Sequence, residues 1–238
     1  MKRTLDMLKN VNEVFQDSAK RCRRETRPPL NRIPPYLDFN FKTRPYTYSD
    51  SSGDTKSGDM SDTVSVILLP RAFDAPGTVP GKTQLQPITE FLQNKYPQYS
   101  FIKGHMWNQE IGGPGETQNL VPLTSKANSS HKSNAETPLK DALRYFDTYY
   151  EINPAIKKAY GFKYVVEIED AFWDGVEERI VPNSIHVQVF PIEYEPESRN
   201  YSDNNSIVNL IPDPYLKNKI DGLKNGIWID QQGVVFML

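Results

Sequence analysis

The feature that most constrains the fold is a strand-like run, a glycine-rich turn and a long helical pattern in the middle of the chain. The run YSFIKGHMWNQEI begins at Tyr99, and the turn is the GGPG segment at 112–115. The segment from Val121 to Glu151 is mostly helical in pattern. Its apolar face recurs at three- and four-residue steps: Leu139, Leu143, Phe146 and Tyr150. Because the glycines permit a tight reversal, we expect the strand to face the helix.

Strand and helix patterns continue on both sides of this segment. The run VSVILLP after Thr63 indicates a strand, and QPITEFLQNKY predicts a helix over about 86–95. Strand patterns also follow the central helix: YVVEIEDAF, SIHVQVFPIEY, IWIDQ and GVVFML. This order is typical of an α+β domain. We therefore predict one α+β domain with an antiparallel or mixed sheet over residues 63–238.

Residues 1–62 differ in pattern, and they predict a partly disordered N-terminal arm. The first twenty residues carry apolar side chains at three-residue steps, which favours a short terminal helix: Leu5, Leu8, Val11 and Val14. The run SDSSGDTKSGDMSD at 49–62 is typical of a linker or mobile loop. We expect this arm to be dispensable for any chemistry that the rest of the chain performs.

Composition excludes several classes of protein. A formal net charge of −2 argues against a polybasic nucleic-acid binder, although an enzyme needs only a few local basic residues. The single cysteine, Cys22, allows neither an intrachain disulfide nor a cysteine-based zinc site. No apolar stretch approaches ~18 residues, so we expect no membrane partner. The N-terminus lacks the apolar core of a secretion signal, so we expect synthesis in the cytoplasm and any export by another route.

Side chains suited to phosphodiester hydrolysis surround the glycine-rich turn. That reaction needs a base that works near neutral pH, a cation on the phosphate and a positive group near the transition state. His105 supplies the base, and Asn128 and Glu136 supply oxygen ligands. Lys140 supplies the positive group. Because Asn128 and Glu136 are eight residues apart, ~80° around an ideal helix, both would point to one side.

The segment GHMWNQEIGGPGETQNLVPLTSKANSSHKSNAE resembles the DNA/RNA non-specific endonuclease superfamily, the ββα-metal or His-Me finger nucleases, and especially its bacterial toxin-like branch. Members pair a Gly-His with a downstream Asn-Leu-(Val/Thr)-Pro, a second asparagine and a glutamate. Here nine residues separate Asn119 from Asn128, and eight separate Asn128 from Glu136. The resemblance covers residues 101–140 or so.

The resemblance implies a role for each of these residues. His105 would be the general base, and Asn128 would be the sole direct protein ligand of Mg²⁺ or Mn²⁺. Glu136 would hold a metal-bound water, and Lys140 would occupy the place of a transition-state arginine. Asn119 would support the geometry of the strand that carries His105.

The resemblance also implies a fold and an activity for the whole domain. We expect a ββα-metal finger core inside residues 63–238 and a metal-dependent endonuclease with little base specificity. The setting would be a bacterial toxin or effector, with nucleic acid, an immunity protein or a secretion-apparatus component as partners. The family often has an acidic residue and an arginine before its Gly-His, where this chain has Ile102 and Lys103. Lysine lacks the flat bidentate fork of arginine.

Ordinary structural roles remain open for several of these residues. Asn128 is a good helix cap, and Ser133 with Glu136 fits an S-x-x-E capping box. In that case the helix would break before Pro138 and restart. His131 either faces the same site or is solvated, and the solvated reading is favoured.

Two other functions remain open for the whole chain. The first is a catalytically degenerate nuclease fold that binds a partner without cutting. The second is a structural component of a phage or contractile particle. His186 and the tryptophans are expected to serve the sheet and the core only.

Overall fold

The computed structural model describes residues 33–153, 156–169 and 181–237, and over these ranges the chain is mixed α+β with antiparallel sheets. Its strands are β1 (Tyr36–Ser49), β2 (Thr55–Leu68), β3 (Phe101–His105), β4 (Leu120–Thr124), β5 (Ala159–Glu169), β6 (Ser184–Glu195), β7 (Asn200–Asp203), β8 (Ile227–Asp230) and β9 (Val235–Phe236). Its α-helices are α1 (Gln86–Lys95), α2 (Ser125–His131), α3 (Thr137–Ile152) and α4 (Pro214–Asn225), and a π-helical turn, Lys132–Glu136, joins α2 to α3.

The large sheet has the strand order β1-β2-β5-β6-β8-β9, with β7 also paired to β6. Side chains alternate across it, as a two-sided sheet requires. In β2, Val64, Val66 and Leu68 belong to the main core, whereas Ile67 belongs to a smaller cluster on the opposite face. The main core packs this sheet against α3, α4 and the small β3–β4 hairpin. No helix in the described ranges is long and apolar enough to cross a membrane.

The prediction of a linker over residues 49–62 is wrong, because this segment belongs to the large sheet. Strands β1 and β2 form an antiparallel hairpin of two 14-residue strands, and the predicted boundary at residue 62 falls inside β2. A chain that starts there would lack β1 and more than half of β2, so residues 36–62 belong to the fold. Whether the chemistry needs them stays a prediction. The predictions made for residues 1–32 lie outside the described residues.

Turn-forming composition conceals the strand in this segment. The reversal is held by Asp50, whose Oδ1 accepts the N–H groups of Ser52 and Asp54 at 2.9 and 3.0 Å. The exposed Ser51, Ser52 and Gly53 form the turn, Ser57 lies on the exposed side of β2, and Met60 is fully buried. One apolar side chain among many polar ones shows no two-residue alternation, so the sequence pattern does not indicate a strand.

The hairpin β3–β4 leads directly into α2, so this part of the chain has the order strand, strand, helix. The prediction of helix from Val121 is wrong for residues 121–124, which complete β4 and are all buried. A continuous apolar run of this length is typical of a buried strand. The helix begins at Ser125, where the Thr124 hydroxyl accepts the Ala127 N–H at 3.1 Å.

The break before Pro138 that the capping-box alternative implies does not occur, because the chain passes from α2 to α3 through the π-helical turn. Thr137 donates its N–H to the carbonyl of Lys132, five residues earlier. Proline has no N–H for the carbonyl four residues earlier, and its ring crowds that carbonyl. A wider turn relieves the crowding and keeps the helix continuous.

We expect Met60→Ala to lower the free energy of unfolding by about 2–5 kcal/mol, because it opens a cavity in the main core. Ser57→Ala, on the exposed side of the same strand, is the matched control and should change it by less than about 0.5 kcal/mol. Urea unfolding followed by circular dichroism measures both. If both substitutions leave the free energy of unfolding nearly unchanged, residues 49–62 are a linker and not part of the sheet.

Candidate active site

His105 ends β3, where it pairs with Leu120 of β4, and its side chain is half-buried. The imidazole Nε2 lies 3.1 Å from the carbonyl oxygen of Thr78. Because a carbonyl can only accept, Nε2 carries the ring proton and donates it to Thr78. Nδ1 therefore keeps its lone pair. This is the tautomer that a general base acting through Nδ1 requires.

Burial also favours the unprotonated ring of His105. Burial lowers the pKa of His105 below its usual value of 6.5, by more than the hydrogen bond to Thr78 and the charge of Glu136 raise it. The ring is therefore neutral at pH 7. The influence of Glu136 on this pKa also places its carboxylate within electrostatic range of His105.

Thr78 is a functional candidate that the sequence analysis missed. It lies in the loop before α1, and its N–H donates to the Gly113 carbonyl at 3.3 Å while its hydroxyl accepts the Gly115 N–H at 2.8 Å. A Cβ at the preceding Gly77 would lie 1.9 Å from the Gly113 oxygen. Glycine in both loops permits this close approach, which brings the Thr78 carbonyl to His105.

Asn119 is fully buried and holds the loop that follows His105. Its Oδ1 accepts the Trp107 N–H at 2.8 Å, and its Nδ2 donates to the carbonyls of Trp107 and Pro114 at 2.8 and 2.9 Å. These hydrogen bonds connect Trp107, near the start of the loop, with Pro114 and with Asn119 at its end. Asn119 is therefore placed to shape the loop rather than to touch a substrate.

Asn128 is the fourth residue of α2, and the cap position belongs to Thr124, so the capping role does not apply. Its half-buried side chain has no hydrogen-bond partner among the described residues. Helix α2 packs against both β3 and β4, which places it beside the strand that ends at His105. The amide oxygen of Asn128 is therefore available as a ligand.

The π-helical turn brings Asn128 and Glu136 closer in direction than an ideal helix would. Such a turn inserts one extra residue into an α-helix, so eight steps advance the helix like seven. The angle between the two side chains then falls from ~80° to about 20°. Both side chains project from nearly the same side of the helix.

Glu136 is a buried carboxylate with polar partners on both oxygens. Its Oε2 accepts the side-chain N–H of Asn108 at 2.7 Å, and its Oε1 lies 3.7 Å from Nδ1 of His131. The capping box does not form, because the Ser133 hydroxyl donates instead to the carbonyl of Ser130. Asn108, another residue that the sequence analysis missed, follows the buried Trp107 in the loop after His105.

The favoured expectation that His131 is solvated is wrong. The side chain is 1% exposed, and its Nε2 lies 2.7 Å from the Tyr164 hydroxyl on β5. That hydroxyl also lies 3.3 Å from the carbonyl of Met106. Burial lowers the pKa of His131 and raises that of Tyr164 well above 10. His131 thus belongs to the interior, behind Glu136.

Lys140 is buried and ion-paired, and its Nζ donates to Oε2 of Glu110 at 2.9 Å. This hydrogen bond is the largest cause that lowers the pKa of Glu110, and the charges of Lys132 and Arg144 lower it further. Several cations therefore surround the loop after His105, although the whole chain is slightly acidic. Lys140 itself is held by its acidic partner.

The two residues that depart from the family pattern lie on β3. Lys103 donates to the carbonyls of Gly81 and Lys82 at 3.0 and 2.8 Å. It thereby tethers the loop that contains Thr78. Ile102 is half-buried and adds no charge to the site.

His186 lies in the sheet and Trp107 in the core, as expected, whereas Trp228 is half-buried and belongs to neither core cluster. His186 lies in β6 and stacks on Trp228, with ring centroids 4.1 Å apart. Trp107 is buried in the main core. Trp173 lies outside the described residues.

The donor set suits a hydrated divalent cation. Within the described ranges, no group of three or more His, Cys, Asp or Glu side chains is arranged to hold a metal ion. The site predicted from the sequence would not form such a group, because its direct ligand is the amide oxygen of Asn128. Mg²⁺ keeps several waters when few protein oxygens bind it. The unpaired amide of Asn128 and the carboxylate of Glu136, which projects from the same side of the helix, fit that requirement.

No known family model matches the chain, and no curated relative matches it by sequence. Among solved structures, the chain is similar to one described as Sda1 nuclease with bound zinc ion. The two share 13% sequence identity and a TM-score of 0.31, over 69% of this chain and 88% of that chain. A likeness at this level supports no inference about the fold, activity or metal of this chain.

Proposed function

We propose that the protein is a metal-dependent endonuclease that hydrolyses phosphodiester bonds of DNA or RNA. The observation that carries the proposal is the state of His105, whose Nε2–H is bound to the Thr78 carbonyl and whose Nδ1 is free to accept a proton. This base lies on a strand, strand, helix unit whose helix carries Asn128 and Glu136 on one side. Base and oxygen ligands are the groups that hydrolysis of a phosphodiester requires.

His105 would accept at Nδ1 a proton from the water that attacks the phosphorus. The hydrogen bond to Thr78 would keep the ring in place and stabilise the imidazolium that forms. As the water oxygen bonds to phosphorus, the bond to the leaving oxygen breaks. Asn119 and Thr78 would maintain the loop geometry on which this alignment depends.

Asn128 would hold Mg²⁺ or Mn²⁺ through its amide oxygen, and Glu136 would bind one of the waters of the ion. The bound ion would neutralise charge on the scissile phosphate. Lys140, which is paired with Glu110, would add positive charge beside the site. The exposed Lys132 and Arg144 would contact backbone phosphates, and such contacts carry no base specificity.

The biological setting stays a prediction that rests on the resemblance alone. It comprises a toxin or effector role, an immunity or secretion-apparatus partner, and export without a classical signal. The chemistry proposed here does not depend on any of them.

We expect His105→Ala to lower cleavage of plasmid DNA or of RNA by ~10²-fold or more, the usual scale for loss of a general base. Asn128→Ala should abolish Mg²⁺-dependent cleavage, because it removes the direct ligand. His186→Ala and Asn134→Ala are the matched controls, since His186 stacks on Trp228 and the Asn134 amide bonds within its own helix. Both controls should keep wild-type rates.

Circular dichroism and thermal unfolding would establish that each variant is folded. A folded His105→Ala variant with full activity would show that the base is assigned wrongly. Wild-type cleavage that persists in excess chelator would contradict the proposed dependence of cleavage on a metal ion. A folded wild-type protein that binds nucleic acid but never cuts it would favour the degenerate binding module.

The pH dependence of cleavage should follow the protonation of His105. Only the neutral ring can accept a proton, so the rate is lost as the pH falls through the pKa of His105 in the folded protein. Because burial lowers that pKa, the acid limb should have its midpoint below pH 6.5, and the rate should be level between pH 7 and 8. Single-turnover rates at saturating Mg²⁺ measure the profile. A midpoint above pH 6.5 would contradict the claim that a buried His105 with a lowered pKa is the base.

A further inference from the structure

A buried chain of polar side chains lies behind Glu136 and has no part in the chemistry described so far. The Tyr164 hydroxyl of β5 lies 2.7 Å from Nε2 of His131. Nδ1 of His131 lies 3.7 Å from Oε1 of Glu136, whose other oxygen accepts the amide of Asn108. His131 and Tyr164 are each 1% exposed. The chain links the large sheet, the helix and the loop after His105.

The surroundings of His131 determine where its proton lies. One ring nitrogen faces a carboxylate, which can only accept, and the other faces a hydroxyl, which can donate. The Tyr164 hydroxyl has one proton and also faces the Met106 carbonyl at 3.3 Å, but its contact with Nε2 is the shorter one. We therefore assign its proton to the bond with Nε2 and the ring proton of His131 to Nδ1, towards Glu136. This is the opposite tautomer to that of His105. Full burial of a neutral ring is consistent with it, since a second ring proton would bring a buried charge.

The π-helical turn is what makes His131 and Glu136 neighbours. In a regular α-helix, residues five apart point about 140° away from each other. In the wider turn the residues five apart come together, as the Thr137 N–H and the Lys132 carbonyl do in the backbone. The irregular turn thus places a histidine directly beside the carboxylate.

We propose that His131 and Tyr164 are positioning residues that orient the Glu136 carboxylate towards the metal site. Tyr164 holds His131, His131 faces one oxygen of Glu136, and Asn108 holds the other. The carboxylate then has a single orientation in which to bind a water of the ion. This inference rests on the proposed function of Glu136. It adds two residues, one of them from the large sheet, to the machinery of the site.

The first test reads the tautomers directly. The chain has three histidines, so ¹⁵N NMR of the imidazole nitrogens resolves each ring in the full-length protein. We expect His131 to carry its proton on Nδ1 and His105 to carry its proton on Nε2. Tyr164→Phe should remove the preference of the His131 ring for the tautomer that is protonated on Nδ1. A wild-type His131 protonated on Nε2, or a spectrum that Tyr164→Phe leaves unchanged, would overturn the proposal.

The second test measures the consequence for metal use. Loss of a group that orients a metal-site residue typically costs about 10- to 100-fold in metal affinity or activity. Tyr164→Phe should therefore raise the Mg²⁺ concentration for half-maximal cleavage by about tenfold. Tyr194→Phe is the matched control, since Tyr194 is buried in the smaller cluster on the opposite face of the sheet. Equal Mg²⁺ requirements in the two variants would overturn the proposal.

The two tests separate this inference from the proposed function. If the folded wild-type protein cuts neither DNA nor RNA, the proposed function fails and the tautomer spectra alone decide whether Tyr164 and His131 hold Glu136. If the wild type cuts and both tyrosine variants behave alike, the proposed function stands and the positioning role is wrong. His131→Asn retains a donor near Nδ1 and should lose less activity than His131→Leu.

Discussion

The hydrogen bond from Nε2 of His105 to the carbonyl of Thr78 is the interaction on which the rest of the site depends. It leaves Nδ1 as the acceptor and prevents the ring from turning. The bond exists only because the loop of Thr78 docks on the glycine-rich turn, with backbone bonds that a Cβ at Gly77 would prevent. This placement of His105 requires two loops without bulky side chains at their contact.

A second local constraint sets the side of the candidate site that we propose binds the metal. Pro138 lacks the N–H of a regular helix, and a π-helical turn precedes it. The extra residue in that turn aligns Asn128 with Glu136 and brings His131 beside Glu136. The π-helical turn thus arranges both the proposed oxygen ligands and the buried polar chain behind them. Restoring a regular helix would rotate these groups apart.

Local patterns predicted much of this arrangement, and non-local contacts account for what they missed. The spacing of Asn119, Asn128 and Glu136 is local, so it indicated a strand, turn and helix in the right segment. Thr78 lies 27 residues from His105, and Tyr164 lies 33 residues from His131. No periodicity connects such pairs. The strand at 55–62 was concealed because its polar residues are also good turn formers.

The central claim is that the base and the oxygen ligands share one metal site, and paramagnetic NMR tests this most directly. Mn²⁺ would be titrated at substoichiometric amounts into ¹⁵N-labelled wild-type protein. The side-chain amide of Asn128 and the ring of His105 should broaden first, while the ring of His186 in β6 stays sharp. Broadening centred elsewhere, or absent from both Asn128 and His105, would contradict the account.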